Sequence, residues 1–211
     1  MLLGTALALV GTAAMAAIET PEYTIVEKRD GYEIREYAPH IVAQVAVSGE
    51  FDETMNSGFR KLADYIFGNN VAKGDGRASE SEKIEMTAPV IEQEIDPRVE
   101  TTTAPSPKNE QDDTARTVAF VMPKKYSIET LPEPKNKEVS IIEVPGKRYA
   151  AIQFSGRMDA EKAAKRKEEL IELLKRDRLE VVGQPLLAQY NPPWIPGPMR
   201  KNEVLVEVKA P

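Results

Sequence analysis

The chain has 211 residues, 41% of them hydrophobic and 29% charged, which suits a globular protein with a sizeable core. A net charge of −6 gives no electrostatic support for nucleic-acid binding. With no cysteine there are no disulfides, thiolate nucleophiles, iron–sulfur clusters, Cys-ligated zinc or covalently attached haem, and the redox compartment cannot be read.

The first 17 residues carry no charged side chain, and the first charge is Glu19. Ala14-Met-Ala16 fits a signal-peptidase site, while the apolar run is short for a membrane span. No Lys or Arg precedes that run, unlike a standard signal. We expect residues 1–16 to be a signal peptide and the protein to be periplasmic or otherwise exported. An anchor formed by residues 1–18 is the alternative, and a cytoplasmic chain comes third. Residues 17–211 then form a single domain, expected to be a monomer.

Thr24–Lys28 and Tyr32–Tyr37 read as a hairpin across Asp30-Gly31, and Ile41–Val47 as a third strand. Asp52 reads as a helix N-cap. Met55, Phe59, Leu62, Ala63 and Ile66 follow at helical spacing, and Gly68-Asn69 closes the helix. Residues 70–81 are polar and Gly-rich, a loop. Ile84, Met86, Ala88 and Val90 alternate with polar residues and Pro89, which predicts a strand at an edge or bulge. The acidic, Pro/Thr-rich stretch 92–113 reads as a mobile loop inside a hairpin.

Thr117–Met122 is the next strand, and Leu131-Pro-Glu-Pro134 reads as a linker. Strands at Val139–Val144 and Tyr149–Phe154 precede a helix over Asp159–Arg178. The basic residues Lys162, Lys165, Arg166 and Lys167 on it are interleaved with acids, as on a solvated face. Leu186–Tyr190 and Glu203–Val208 are the last strands. Between them runs Tyr190-Asn-Pro-Pro-Trp-Ile-Pro-Gly-Pro-Met-Arg200, a stiff loop presenting Trp194 and Met199.

The two halves echo each other. Val47-Ser-Gly-Glu-Phe-Asp52 matches Phe154-Ser-Gly-Arg-Met-Asp159, and Met86-Thr-Ala-Pro-Val90 is set against Tyr190-Asn-Pro-Pro-Trp194. The expected fold is α+β. Duplicated strand–strand–helix–strand–strand units, about 23–123 and 138–208, would pack into a pseudo-symmetric distorted β-barrel or curled sheet flanked by two helices.

Candidate chemistry is sparse. One histidine, His40, excludes His-x-x-x-His metal pairs, and no Gly-x-Ser-x-Gly elbow exists. His40 reads as a turn residue at a strand entry. Glu85 beside apolar strand residues is the carboxylate to watch for a hydrolase. Its plain reading is the solvent face of a strand. The first helix sets Phe59 and Phe67 beside Arg60 and Lys61, which suits a flat apolar ligand bearing carboxylates as well as an ordinary amphipathic helix.

Three motifs in order carry a resemblance. Tyr32-Glu-Ile-Arg-Glu-Tyr37, Lys83-Ile-Glu-Met-Thr-Ala-Pro-Val90, and Tyr190-Asn-Pro-Pro followed by Arg200-Lys-Asn-Glu-Val204 resemble the SOUL haem-binding protein family. Phe51-Asp52 to Tyr65 is similar to that family's first helix. The likeness runs from about Tyr23 to Val208. It implies a duplicated β-barrel with two helices, shared with bacterial effector-binding domains, and non-covalent binding of haem or a related tetrapyrrole, as a carrier or buffer. The ring would lie between the first helix and the loop before the last strand. Its contacts would be Met55, Phe59, Arg60, Leu62, Ala63, Ile66, Tyr190, Trp194, Met199 and Arg200. The family's proposed axial histidine falls at Ala38 here, so His40 is a weak substitute. Basic positions that meet propionates fall at Asn56 and Asp64, leaving Arg60, Lys61 or Arg200. The alternatives are other amphipathic small molecules in the same groove, or a hydrolase.

Overall fold

The computed structural model describes residues 18–74, 80–95 and 115–210. The expected signal peptide, residues 75–79 of the first loop and residues 96–113 of the acidic loop lie outside the described residues. Among the described residues the fold is α+β, with two α-helices against one curled, antiparallel nine-stranded sheet, a half-barrel. Its strands are β1 (Tyr23–Arg29), β2 (Tyr32–Tyr37), β3 (His40–Ser48), β5 (Val90–Glu94), β6 (Ala115–Val121), β8 (Ser140–Val144), β9 (Lys147–Ser155), β10 (Leu186–Gln189) and β11 (Lys201–Glu207). They lie in the order β1-β2-β9-β11-β10-β5-β6-β3-β8. A two-residue pair, β4 (Asn70–Val71) with β7 (Glu133–Pro134), stands apart. The two edge strands, β1 and β8, do not pair, so the expected barrel is open among the described residues.

Helix α1 (Phe51–Ile66) covers β3 and β6, burying Leu62, Tyr65 and Ile66 against Val45, Val118 and Phe120. It begins one residue before the expected Asp52 cap. Phe51 is buried against the second helix's cluster, which draws it into the first turn, and Glu50 takes the cap position without a side-chain bond. Asp52 and Glu53 still complement the helix dipole from that turn. Helix α2 (Ala160–Arg176) packs Ala163, Leu170 and Leu174 on Ile34, Ile152 and Val206. Its cap is Asp159, whose side chain accepts from Lys162 N at 2.8 Å.

Close approach explains Gly58. A Cβ there would sit 2.6 Å from Val118 Cβ and Cγ2 on β6. Gly58→Ala therefore loses about 1–3 kcal/mol in urea unfolding, even though alanine gains about 1 kcal/mol of helix propensity. Unchanged or higher stability would contradict this packing.

Three expectations need correction. Residues 84–89 are not a strand. Their alternation reflects burial, but Ile84 N bonds Ile66 O and Ala88 N bonds Glu19 O, so no ladder forms until Val90, which follows the cis Ala88–Pro89 bond. Residues 131–134 are not a linker, because Leu131 is buried and Tyr65 Oη donates to Pro132 O at 2.7 Å. Asn70 is no loop residue, since its buried amide donates to Tyr65 O and Glu82 O, both at 2.8 Å. In addition, Met86–Val90 enters β5, whereas Tyr190–Trp194 leaves β10, so the two stretches hold different places.

Candidate ligand-binding site

The strand register fixes where the candidate residues stand. Val42 pairs with Val121, Phe120 with Val90, Val90 with Gln189, Gln189 with Asn202, and Lys201 with Ser155. The starts of β3, β5 and β11 and the ends of β6, β9 and β10 therefore share one end of the sheet. The loop from Tyr190 to Arg200 caps that end. Helix α1 runs back along β3, so its C-terminal half returns there, with Ile66 O bonded to Ile84 N at 2.8 Å.

The loop is stiff for reasons beyond its prolines. Arg200 Nε donates to Ile195 O at 2.8 Å, and its Nη2 donates to Pro193 O. Asn191 Oδ1 accepts from Lys201 N at 2.6 Å. The stapled loop leaves Trp194 79% and Met199 73% exposed. Phe67, just beyond α1, is 59% exposed, and Met86 on the approach to β5 is 41% exposed. Large apolar side chains held in water at one end of a fold commonly mark a binding surface.

On α1, Phe59 is half-buried and meets Phe120 edge-on at 5.3 Å, while Met55 packs against both helix-side clusters and Ala63 is partly exposed. Leu62 and Ile66 are 0% and 1% exposed, so they support the helix from beneath and touch no ligand in this conformation. Arg60 is exposed and folds its Nε onto Asn56 O at 3.2 Å. Lys61 is engaged by Glu138 at 3.1 Å. Arg200 is the loop's staple rather than a free cation. A cation the sequence reading passed over is Lys83, exposed and 5.8 Å from the Phe67 ring centroid. Its place one residue before buried Ile84 was the available signal.

Tyr190 turns to the other, helix-free face. There its hydroxyl donates to Glu203 at 2.6 Å, and Arg35 clamps Glu203 with bonds of 3.0 and 3.1 Å. Lys201 Nζ lies 3.1 Å from the same carboxylate, and Arg35 stacks on Tyr23 at 4.5 Å. Burial pushes the Glu203 carboxyl up, but the bonds from Arg35 and Tyr190 and the charges of Arg35 and Lys201 outweigh it and hold it below the usual range. Burial also raises the Tyr190 hydroxyl, with the Glu203 charge acting the same way.

Glu92 behaves oppositely. It is fully buried on the helix side. Arg116 Nε approaches to 3.0 Å as an ion contact, and neither carboxylate oxygen has a well-formed hydrogen bond among the described residues. Burial raises its carboxyl, and the charges of Lys167 and Arg116 offset this only in part. Glu85, the expected hydrolase base, is exposed and pairs with Lys125 at 3.2 Å. The hydrolase reading loses its buried base there, because this carboxylate is solvated and ion-paired.

His40 stands at the same sheet end as the first residue of β3, where it lines a different cavity. Its Nδ1 is 2.9 Å from Ala38 O. No group of three or more metal-ligating side chains occurs among the described residues, and no described helix is long and apolar enough to cross a membrane.

Residues 18–207 match the family described as SOUL heme-binding protein. No curated protein matches the chain. Among solved structures it is similar to the C-terminal domain of EcmrR, with a TM-score of 0.56 and 12% identity, covering 85% of this chain and 99% of that one. It is also similar to EcmrR in a DNA complex, with a TM-score of 0.57 and 10% identity, over 85% of this chain. The chain spans 57% of that protein's length. A hydrolase from Listeria innocua is similar at a TM-score of 0.49 and 13% identity, covering 92% of this chain and 94% of that one. At these identities the two EcmrR structures share the fold alone, and the hydrolase carries no argument.

Proposed function

Because the chain belongs to the SOUL haem-binding protein family, we propose that it binds haem or a related tetrapyrrole non-covalently, as a carrier or buffer. The ring would lie at the sheet end shared by α1 and the 190–200 loop. What carries the reading is the exposure of Trp194 and Met199 on a loop already stapled by Arg200. A pre-ordered loop loses little entropy on binding, so the apolar area it buries, at about 25 cal/mol per Å², is retained as affinity.

The residues fit a flat apolar ring. Met55, Phe59, Ala63, Phe67 and Met86 would offer its faces, and Lys83 or Arg60 would meet its carboxylates at the solvent edge. The bound group would bring its own iron chemistry. This chain's part is to bury the ring and place its charges. His40 stands apart, so ring burial rather than histidine ligation is the basis of binding. We also infer that the two halves derive from one duplicated unit. The strand order supports this, since exchanging β2 with β8, β9 with β3, β11 with β6 and β10 with β5 maps eight of the nine strands onto one another, leaving the edge strand β1 without a counterpart. Export, with cleavage after Ala16, and a monomeric state remain part of the proposal.

A haemin titration followed at the Soret band is the test. A saturable one-to-one shift is expected, weakened about tenfold or more by Trp194→Ala or Phe59→Ala and unchanged by His40→Ala, tenfold corresponding to about 1.4 kcal/mol. Binding of other amphipathic molecules in the groove is the reading left if no saturable shift appears.

A further inference from the structure

The chain has seven methionines and no cysteine, so thioethers are its only sulfur and the softest targets it offers a peroxide. Met55, Met86, Met122, Met158 and Met199 lie among the described residues, and they are not equally shielded. Met122 is 4% and Met158 7% exposed, each inside a helix-side cluster. Met55 is half-buried against both clusters. Met86 and Met199 are the two of these five left open to water, and both stand at the sheet end that carries Trp194 and Phe67.

Their exposure is built into the backbone. Met199 closes the single turn Gly197–Met199, where its N–H donates to Pro196 O at 2.9 Å and the Arg200 N–H donates to Gly197 O at 3.0 Å. A Cβ on Gly197 would lie 3.6 Å from Arg157 N, so the turn rests against the chain just after β9. Met86 lies between anchored neighbours. The Ile84 N–H donates to Ile66 O at 2.8 Å, the Ala88 N–H donates to Glu19 O at 2.9 Å, and the Thr87 hydroxyl donates to Val121 O. Thr87 and Ala88 are buried, which leaves Met86 on the outside. Neither backbone can carry its thioether into the core without breaking these bonds.

A thioether exposed in this way reacts with a hydroperoxide. A sulfur lone pair attacks one peroxide oxygen, the S–O bond forms and the O–O bond breaks. With hydrogen peroxide, the proton of the transferred hydroxyl ends on the departing one, which leaves as water. Sulfur is oxidised by two electrons and the peroxide is reduced by the same two. The sulfoxide oxygen needs a hydrogen-bond donor once it is buried, and the face of a flat apolar ring supplies none.

We propose that Met86 and Met199 form a redox-modification site, at which a hydroperoxide converts both thioethers to sulfoxides and so loosens the chain's hold on a flat apolar ligand. Two ligand-facing side chains turn polar while the core methionines stay reduced. The change is reversible, because methionine sulfoxide reductases, one for each epimer, restore the thioether, with a dithiol supplying the two electrons and the oxygen leaving as water. The ligand rests on the tetrapyrrole reading above. The choice of methionines rests on their exposure.

The full chain is treated with hydrogen peroxide, freed of it by gel filtration, and titrated with haemin at the Soret band, while peptide mass spectrometry locates the oxygen. One oxygen atom is expected on each of Met86 and Met199 well before Met122 or Met158 takes any. Haemin affinity should then fall about tenfold, the order expected when a polar group is buried without a partner, and reductase treatment should restore it. Met86→Leu/Met199→Leu has no thioether at either place, so peroxide should leave its haemin affinity, whatever its starting value, unchanged. Oxidation of Met122 or Met158 as fast as Met199 would overturn the proposal. So would equal haemin binding before and after oxidation, or a peroxide effect that persists in the double variant. The untreated protein tests the tetrapyrrole reading by itself. A missing saturable shift there sinks both, whereas binding that peroxide does not change sinks the redox site alone.

Discussion

Arg35→Met is expected to lower the unfolding free energy by about 3–5 kcal/mol, because it strands a buried charge. Glu203 is 0% and Arg35 3% exposed, and the two are joined by a pair of hydrogen bonds. Without the guanidinium, Glu203 keeps only the Tyr190 hydroxyl and the Lys201 ammonium in a site that excludes water. The double variant Arg35→Met/Glu203→Leu should recover part of the loss, since it removes both buried charges but leaves the Tyr190 and Tyr37 hydroxyls and the partly exposed Lys201 and Glu33 without these partners. The pH dependence has a definite sign. Glu203 holds its proton less tightly when folded, so its contribution is present above the ordinary carboxylate range, near 4.3, and is lost as pH falls through the lower folded value. The gap between wild type and Arg35→Met should therefore narrow in acid. Urea unfolding at pH 7 and pH 3 measures it. A single-variant loss under about 1 kcal/mol at pH 7 would mean that the pair is not buried as described.

The second large effect separates scaffold from site. Leu62→Ala should destabilise the chain by about 2–5 kcal/mol, the range for a buried leucine whose neighbours cannot collapse. Leu62 sits fully enclosed under α1 with Val45, Val118 and Phe120. Haemin affinity per folded molecule should be unchanged, in contrast to Phe59→Ala one turn earlier. Unfolding and Soret titration on the same preparations distinguish the two residues. A tenfold loss of affinity with intact stability would place Leu62 in the groove after all.

Leu62 also shows what spacing can and cannot tell. Helical periodicity identified which α1 residues are apolar, and it located both helices and most strands to within a few residues. It could not say which apolar residues lie under the helix and which lie at its flank, because that depends on where β3 and β6 run. The same limit applies to Arg35 and Tyr190. Alternation in Tyr32–Tyr37 says only that Arg35 shares a face with Glu33 and Tyr37. Its partner Glu203 is 168 residues away, and only the curl of the sheet encloses them. The error at 84–89 has a related cause, since period-two burial arises wherever an extended segment lies on a surface, with or without a ladder. Glu92 looked like the first residue of a solvated loop because the acidic composition beyond it is continuous. The nearby cations Arg116 and Lys167 belong to other elements. The prolines and Trp194, in contrast, were legible because φ restriction is local and needs no partner.

The strand order has a consequence for how the chain is made. β2 lies between β1 and β9, with Tyr37 against Lys147, so the β1–β2 hairpin emerges from the ribosome with one flank unclaimed until the second half is synthesised. β3 likewise waits for β8. During that interval the nascent chain presents three open strand flanks rich in Ile, Val and Tyr, on β2, β3 and on β5, which awaits β10, the kind of edge that captures other chains. The β-rich first half is thus the part most in need of protection by a chaperone, and truncation after β6 should yield an aggregating fragment rather than a smaller folded domain.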